Sequence, residues 1–185
     1  AFALKITYTL KKHDLEVCWE VVNNDSETMY FTIGGHPAFR VPVREGESQS
    51  DYRLAFEGLD TLTYLLIDTS VGTVLADEPH TLSLENGTCS IAPHMFDKDA
   101  LVFDNGQIQK AGILFPDGTP YLTLTSEGFP NFGIWSVPGA PFVCLEPWMG
   151  RCDDCGFEKP LSEKANINVL KPDEEFIKSY QITVH

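Results

Sequence analysis

Phe2, Leu4, Ile6, Tyr8 and Leu10 alternate with Ala3, Lys5, Thr7 and Thr9 at the start of the chain, and Leu15, Val17, Trp19 and Val21 repeat the pattern after Lys11-Lys12-His13-Asp14. A strict period of two puts alternate side chains on one face of an extended strand, so the two runs are expected to form a hairpin. Asn23-Asn24-Asp25-Ser26 is the next turn, and Met29 to Ile33 the third strand. Short apolar runs then follow at 53–57, 62–67, 74–76, 82–84, 89–91, 101–103, 113–115, 121–125, 132–137, 143–145, 167–170 and 176–184, with Asn86-Gly87 and Asn105-Gly106 as hairpin-type turn signals. No segment keeps a helical apolar period over several turns, and the chain is expected to be all-β and antiparallel. So many short strands must close into a barrel or stack as two sheets, and a large sandwich is the expected form. Without an internal repeat or a low-complexity linker, residues 1–185 are expected to be a single domain. Because Ala1 already stands inside the first alternating run, further strands are expected upstream of it.

Composition narrows the partners. At 43% hydrophobic and 22% charged residues, the chain suits a globular domain with a sizeable core. Its 13 Lys and Arg against 27 Asp and Glu leave a net charge of −14, which repels phosphate backbones and anionic lipid, so neither nucleic acid nor a membrane surface is an expected partner. No apolar run approaches the ~20 residues of a membrane span. The five cysteines, an odd number in a domain of this size, favour reduced thiols and a cytoplasmic location. Cys152 and Cys155 have metal-ligand spacing but no second pair, so neither a metal nor another cofactor is expected there.

Two stretches carry chemistry. In Ile33-Gly34-Gly35-His36-Pro37-Ala38-Phe39 a β-type run hands over to two glycines, a histidine and a proline. Glycine admits close approach, and Pro37 fixes its own φ while biasing His36 toward extended geometry, so the imidazole is presented stiffly at a strand end. With an unperturbed pKa near 6.5 such a group is a candidate acid or base, although a turn histidine also serves as a surface or capping residue.

In Cys144-Leu145-Glu146-Pro147-Trp148-Met149-Gly150-Arg151 an apolar strand, 141–145, ends on a carboxylate, a proline, a large aromatic and a guanidinium. Apolar surroundings raise a Glu pKa and a nearby cation lowers it, so Glu146 could act as a base, with Arg151 fixing a hydroxyl or the carboxylate and Trp148 flooring a sugar ring. A Glu146–Arg151 pair serving structure alone, with Trp148 in the core, is the competing reading.

Taken together, Gly34-Gly35-His36-Pro37-Ala38-Phe39 and Leu145-Glu146-Pro147-Trp148-x-Gly-Arg151 resemble the aldose 1-epimerase (galactose mutarotase) family in its bacterial LacX-like branch. Asp97-Lys98-Asp99-Ala100-Leu101-Val102-Phe103 and the closing strand extend the resemblance over nearly the whole chain. It implies a β-supersandwich and metal-free interconversion of the α and β anomers of a hexose such as galactose or glucose. By the resemblance His36 is the general acid and Glu146 the general base, and Asp99, or in its place Asp97, binds sugar hydroxyls. Phe39, Trp148 and Arg151 are pocket residues. The family's upstream Arg and His-Gly-Phe-type motif has no counterpart here, since His13 sits in a hairpin turn, and roughly the first third of the family's pattern is absent.

Geometry adds one expectation. The anomeric hydroxyl and ring oxygens share a carbon, so His36 and Glu146, each bonded to one of them, are expected to face each other across one cleft roughly 5–8 Å apart, with neither a mere surface residue. Two rival functions accompany the mutarotase: a hexose-6-phosphate epimerase of the same fold, which needs cations such as Arg40, Arg44 or Arg151 for its phosphate, and a non-catalytic carbohydrate-binding domain.

Overall fold

A computed structural model describes residues 1–185 and is built almost wholly of antiparallel strands, with two short 3₁₀ turns at Gln49–Asp51 and Leu161–Glu163. The first two strands, Phe2–Lys11 and Asp14–Asn23, form the expected hairpin, closed by Lys12-His13 with Lys12 at φ 56. They begin a seven-stranded sheet that continues through Glu175–Val184, Pro120–Thr125, Lys110–Leu114, Arg53–Ala55 and Thr88–Ser90. A smaller sheet runs Leu101–Phe103, Asn131–Trp135, Phe142–Met149, and then both Ile33–Gly34 and Ala38–Arg40 against the same edge of Phe142–Met149. Three two-stranded ribbons complete the set. No helix is long and apolar enough to cross a membrane.

The main core lies between the sheets. Val17, Trp19, Leu54, Ile113, Leu122 and Leu124 of the larger sheet meet Leu101, Phe103, Phe132, Ile134, Val143 and Leu145 of the smaller one, all nearly or fully inaccessible. Trp19 makes edge-on contacts with Phe129 and Tyr180. At one margin the smaller sheet runs out: Phe2, Leu4, Ile6, Tyr8 and Leu10 share a face with the buried Val17, Trp19 and Val21, yet remain between 45% and 73% exposed.

Two local expectations are revised. Both Asn-Gly pairs adopt left-handed conformations at both residues, as a type I′ turn requires. However, Asn105-Gly106 carries the chain from the smaller sheet to the larger one, and Asn86-Gly87 closes only the Glu85–Thr88 bridge between strands that pair elsewhere. The strand expected to stop at Leu145 continues through Pro147 to Met149, so Glu146 and Trp148 are strand residues rather than loop residues.

Candidate functional site

Alternation along Phe142–Met149 sends Val143, Leu145 and Met149 into the main core and turns Cys144, Glu146 and Trp148 to the opposite face. On one side Trp135 faces Cys144, Gly133 faces Glu146 and Asn131 faces Trp148. On the other side Gly34 faces Trp148 and Ala38 faces Cys144, and counting inward from these two pairs brings His36 opposite Glu146.

Two prolines open the ladder at this row. Gly35 N–H donates to Pro147 O at 2.9 Å and Leu145 N–H donates to Pro37 O at 3.3 Å. The return bonds would need N–H groups that Pro147 and Pro37 lack. His36 and Glu146 thus occupy a non-hydrogen-bonded pair, the arrangement in which opposed side chains of antiparallel strands come closest.

The result is a contact of 3.5 Å between His36 Nδ1 and Glu146 Oε1, shorter than the expected 5–8 Å, because the two side chains stand directly opposite in a non-hydrogen-bonded row. Burial is unequal: the Glu146 side chain is 5% exposed and that of His36 60%, so the expectation that neither would be a surface group holds for Glu146 only. His36 stands edge-on to Trp135, with ring centroids 5.7 Å apart. Burial drives the Glu146 carboxyl up to about 7, against the attraction of His36 and a hydrogen bond from Trp148, while the charge of Asp99 adds to the rise. Cys144, buried beside it, has its thiol pushed up to about 12 by burial first and by Glu146 second.

Trp148 lies flat across the sheet. A Cβ on Gly34 would come within 2.5 Å of its Cδ1, and one on Gly133 within 2.3 Å of its Cζ2, so these glycines clear the floor on which the indole rests. The neighbouring Gly35 is required by the opposite face, where a Cβ would meet the Tyr180 hydroxyl at 2.9 Å. A second apolar cluster, Leu65, Val74, Ala100 and Val102, packs against Trp148 and Trp135 and walls this face.

Beside Trp148 opens a cleft of about 520 Å³ lined by Gly34, Ile67, Thr69, Asp99, Trp148 and Arg151 among others. The structure thus brings Asp99, Trp148 and Arg151 to one cleft, with His36 and Glu146 in the adjoining cross-strand row. Asp99 is half-buried at φ 71, and its Oδ1 accepts the Ala100 N–H at 2.6 Å. The alternative Asp97 is exposed and bound to His94, outside the cleft lining.

Two residues differ from expectation. Phe39 faces Val143 and packs against the main core, on the opposite side of the sheet from Glu146. Arg151 does not pair with Glu146. Its Nε and Nη2 donate to Asp104, Nη2 also to Asp154 at 2.7 Å, and Nη1 to the Cys152 carbonyl, which leaves one N–H of five unengaged. Burial alone would weaken its charge, but the hydrogen bonds to Asp104 and Asp154 hold the guanidinium above its ordinary pKa.

Asp104 is the residue sequence reasoning missed. It follows Phe103 in what reads as a turn signal, and it clamps Arg151 while accepting Asn131 Nδ2 at 2.7 Å. An aspartate before Asn-Gly carries no mark that distinguishes an ion-pair anchor from a turn former.

A family model described as Aldose 1-epimerase matches residues 1–181. Protein LacX of Lactococcus lactis subsp. lactis, in plasmid and chromosomal forms, is 30% identical over 186 residues, covering 99% of this chain and 62% of LacX. A galactose mutarotase related enzyme from Lactobacillus acidophilus superposes with a TM-score of 0.89 at 27% identity, over 100% of this chain and 61% of that one. A galactose mutarotase-like protein from Lactobacillus casei gives a TM-score of 0.83 at 26% identity, over 100% and 63%. The chain therefore spans less than two thirds of the length of these relatives.

Proposed function

The chain belongs to the aldose 1-epimerase family, and from that premise we propose that it carries the acid–base site of a cytoplasmic mutarotase acting on an unphosphorylated hexose. The observation that supports this most is the cross-strand pair itself: a buried carboxylate whose pKa lies near 7, 3.5 Å from an exposed imidazole. A carboxylate in this condition is ionised near neutrality yet basic enough to accept a proton.

In the proposed reaction the Glu146 carboxylate takes the proton of the anomeric hydroxyl while the protonated His36 gives its proton to the ring oxygen. The bond between the anomeric carbon and the ring oxygen breaks, and the carbon becomes an aldehyde. After rotation about the adjoining C–C bond the ring recloses on the other face. Glu146 then returns its proton to the new hydroxyl, and His36 recovers its own from the ring hydroxyl. The exposed His36 must draw back from Glu146 to admit the sugar, Trp148 offers an apolar ring floor, and Asp99 accepts hydroxyl hydrogen bonds.

The charge pattern argues against the phosphorylated alternative. Arg151 is neutralised by Asp104 and Asp154, and Arg44 lies over Phe115 near Glu47 and Asp117, which leaves the exposed Arg40 as the one of the three without an ion pair, while Asp99 and Glu146 make the site itself acidic. Anomer-exchange NMR on galactose and glucose tests the proposal. Faster exchange in the presence of the chain supports it, whereas perturbed sugar signals without faster exchange identify a carbohydrate-binding domain.

A further inference from the structure

We propose that Cys144, Glu146 and His36 form a binding site for a borderline-soft divalent cation of the zinc type, and that an occupied site is catalytically silent. Cys144 and Glu146 are two residues apart in one strand and so share a face, and His36 meets Glu146 from the facing segment. One donor atom of each lies within 4.8 Å of the other two.

Around a tetrahedral zinc, with bonds of about 2.0 Å to nitrogen or oxygen and about 2.3 Å to sulfur, donors stand roughly 3.3–3.5 Å apart. The His36–Glu146 edge, at 3.5 Å, already has that length. The edges to sulfur need shorten by no more than about 1.3 Å, within reach of side-chain rotation. Cys144 and Glu146 are buried, so two donors are held in place before any ion arrives.

The donor set selects the ion. One sulfur, one imidazole and one carboxylate suit zinc or cobalt and leave a fourth position open on the exposed His36 side. Magnesium and calcium require six or more mostly oxygen ligands and are not expected to compete. On binding, the aqua cation exchanges three waters for lone pairs of His36 Nδ1, a Glu146 oxygen and Cys144 Sγ, and the thiol proton and the proton carried by His36 leave to solvent. No oxidation state changes. The lone pairs of His36 and Glu146 are the ones the proposed acid–base pair uses, so occupancy and turnover exclude one another; this second half rests on the proposed function, and the binding half does not.

The exposed Cys152 and Cys155 offer competing thiols, so the test uses the full chain with both changed to Ser. Cobalt(II), as the probe, is expected to bind in one equivalent with a thiolate-to-cobalt charge-transfer band that zinc removes. Cys144→Ala should abolish the band. His36→Ala, altering an exposed side chain, should weaken cobalt binding at least ~10-fold with an unchanged circular dichroism spectrum. Absence of the band, or its survival in Cys144→Ala, overturns the site. Where the parent exchanges anomers, zinc should stop exchange, a chelator should restore it, and Cys144→Ala should need at least ~10-fold more zinc to halve its own metal-free rate. Zinc inhibition indifferent to Cys144 overturns the silencing claim. A parent without exchange defeats the proposed function and leaves the cobalt band to decide the site.

Discussion

The carboxylate of Glu146 is 5% exposed, and the imidazole 3.5 Å away on His36 is 60% exposed. One partner of the pair is fixed by the core while the other faces solvent, which suits a base that must stay dry and an acid that must step aside for substrate. Glu146→Gln and His36→Asn should each slow anomer exchange by ~10²-fold or more while leaving sugar affinity within a few-fold of the parent. Exchange NMR paired with sugar titration reads both quantities, and parent-like rates in both variants would remove the catalytic assignment.

The raised Glu146 carboxyl sets a pH profile. Only the ionised form accepts a proton, so in chelator-treated protein exchange should fall as pH drops through about 7, the value to which burial carries this group. A rate unchanged between pH 5 and 8 would contradict it.

The same shift has a stability consequence. Glu146 ionises near 4.5 when unfolded and near 7 when folded. A folded-state pKa above the unfolded one means that the stability Glu146 contributes is fully present below about 4.5 and is lost as pH rises through about 7. Glu146→Gln should therefore be more stable than the parent at pH 8 by up to about 3 kcal/mol, with the gap closing toward pH 4.5. Urea unfolding at the two pH values checks this, and a variant less stable at pH 8 would show that the carboxylate is better accommodated than its burial implies.

Gly133→Ala tests the floor under the indole. The added methyl would sit 2.3 Å from Trp148, and Gly133 is not at positive φ, so the effect is steric. The expected loss is about 1–3 kcal/mol of stability, with weaker sugar binding as Trp148 lifts away. Parent-like melting together with parent-like affinity would mean the ring is not held where it is drawn.

The acidic site should also discriminate against phosphate. Glucose 6-phosphate is expected to exchange at least ~10-fold less efficiently than glucose, because Arg151, the guanidinium that lines the cleft, is already matched by Asp104 and Asp154. Preference for the phosphorylated sugar in competition assays would reverse this reading.

The local signals made the strands legible: the first hairpin lies where alternation puts it, and Leu101–Phe103 where its short apolar run does. His36 and Glu146 were legible as chemistry. Their meeting at one site was expected through the family resemblance, but the register that brings it about, joining positions 110 residues apart, is written in the packing of two sheets rather than in either segment. Phe39 was misplaced for a related reason: one position along a strand changes the face, and the side that His36 takes is settled by its pairing with Phe142–Met149. Arg151 was expected to meet a hydroxyl or Glu146, because Asp104 and Asp154, which engage it instead, look like ordinary loop acids.

Pro37 and Pro147 carry one last implication, for the speed of substrate entry. The row at His36 has no backbone bond of its own to break, so drawing the imidazole back loosens only its edge contact with Trp135 and its attraction to Glu146. Side-chain motions of this kind in exposed residues run on picosecond-to-nanosecond scales, far faster than the microsecond-to-millisecond opening of a lid. In the proposed mutarotase, making room for sugar between these two side chains is then a fluctuation of one ring rather than a rearrangement of the sheet.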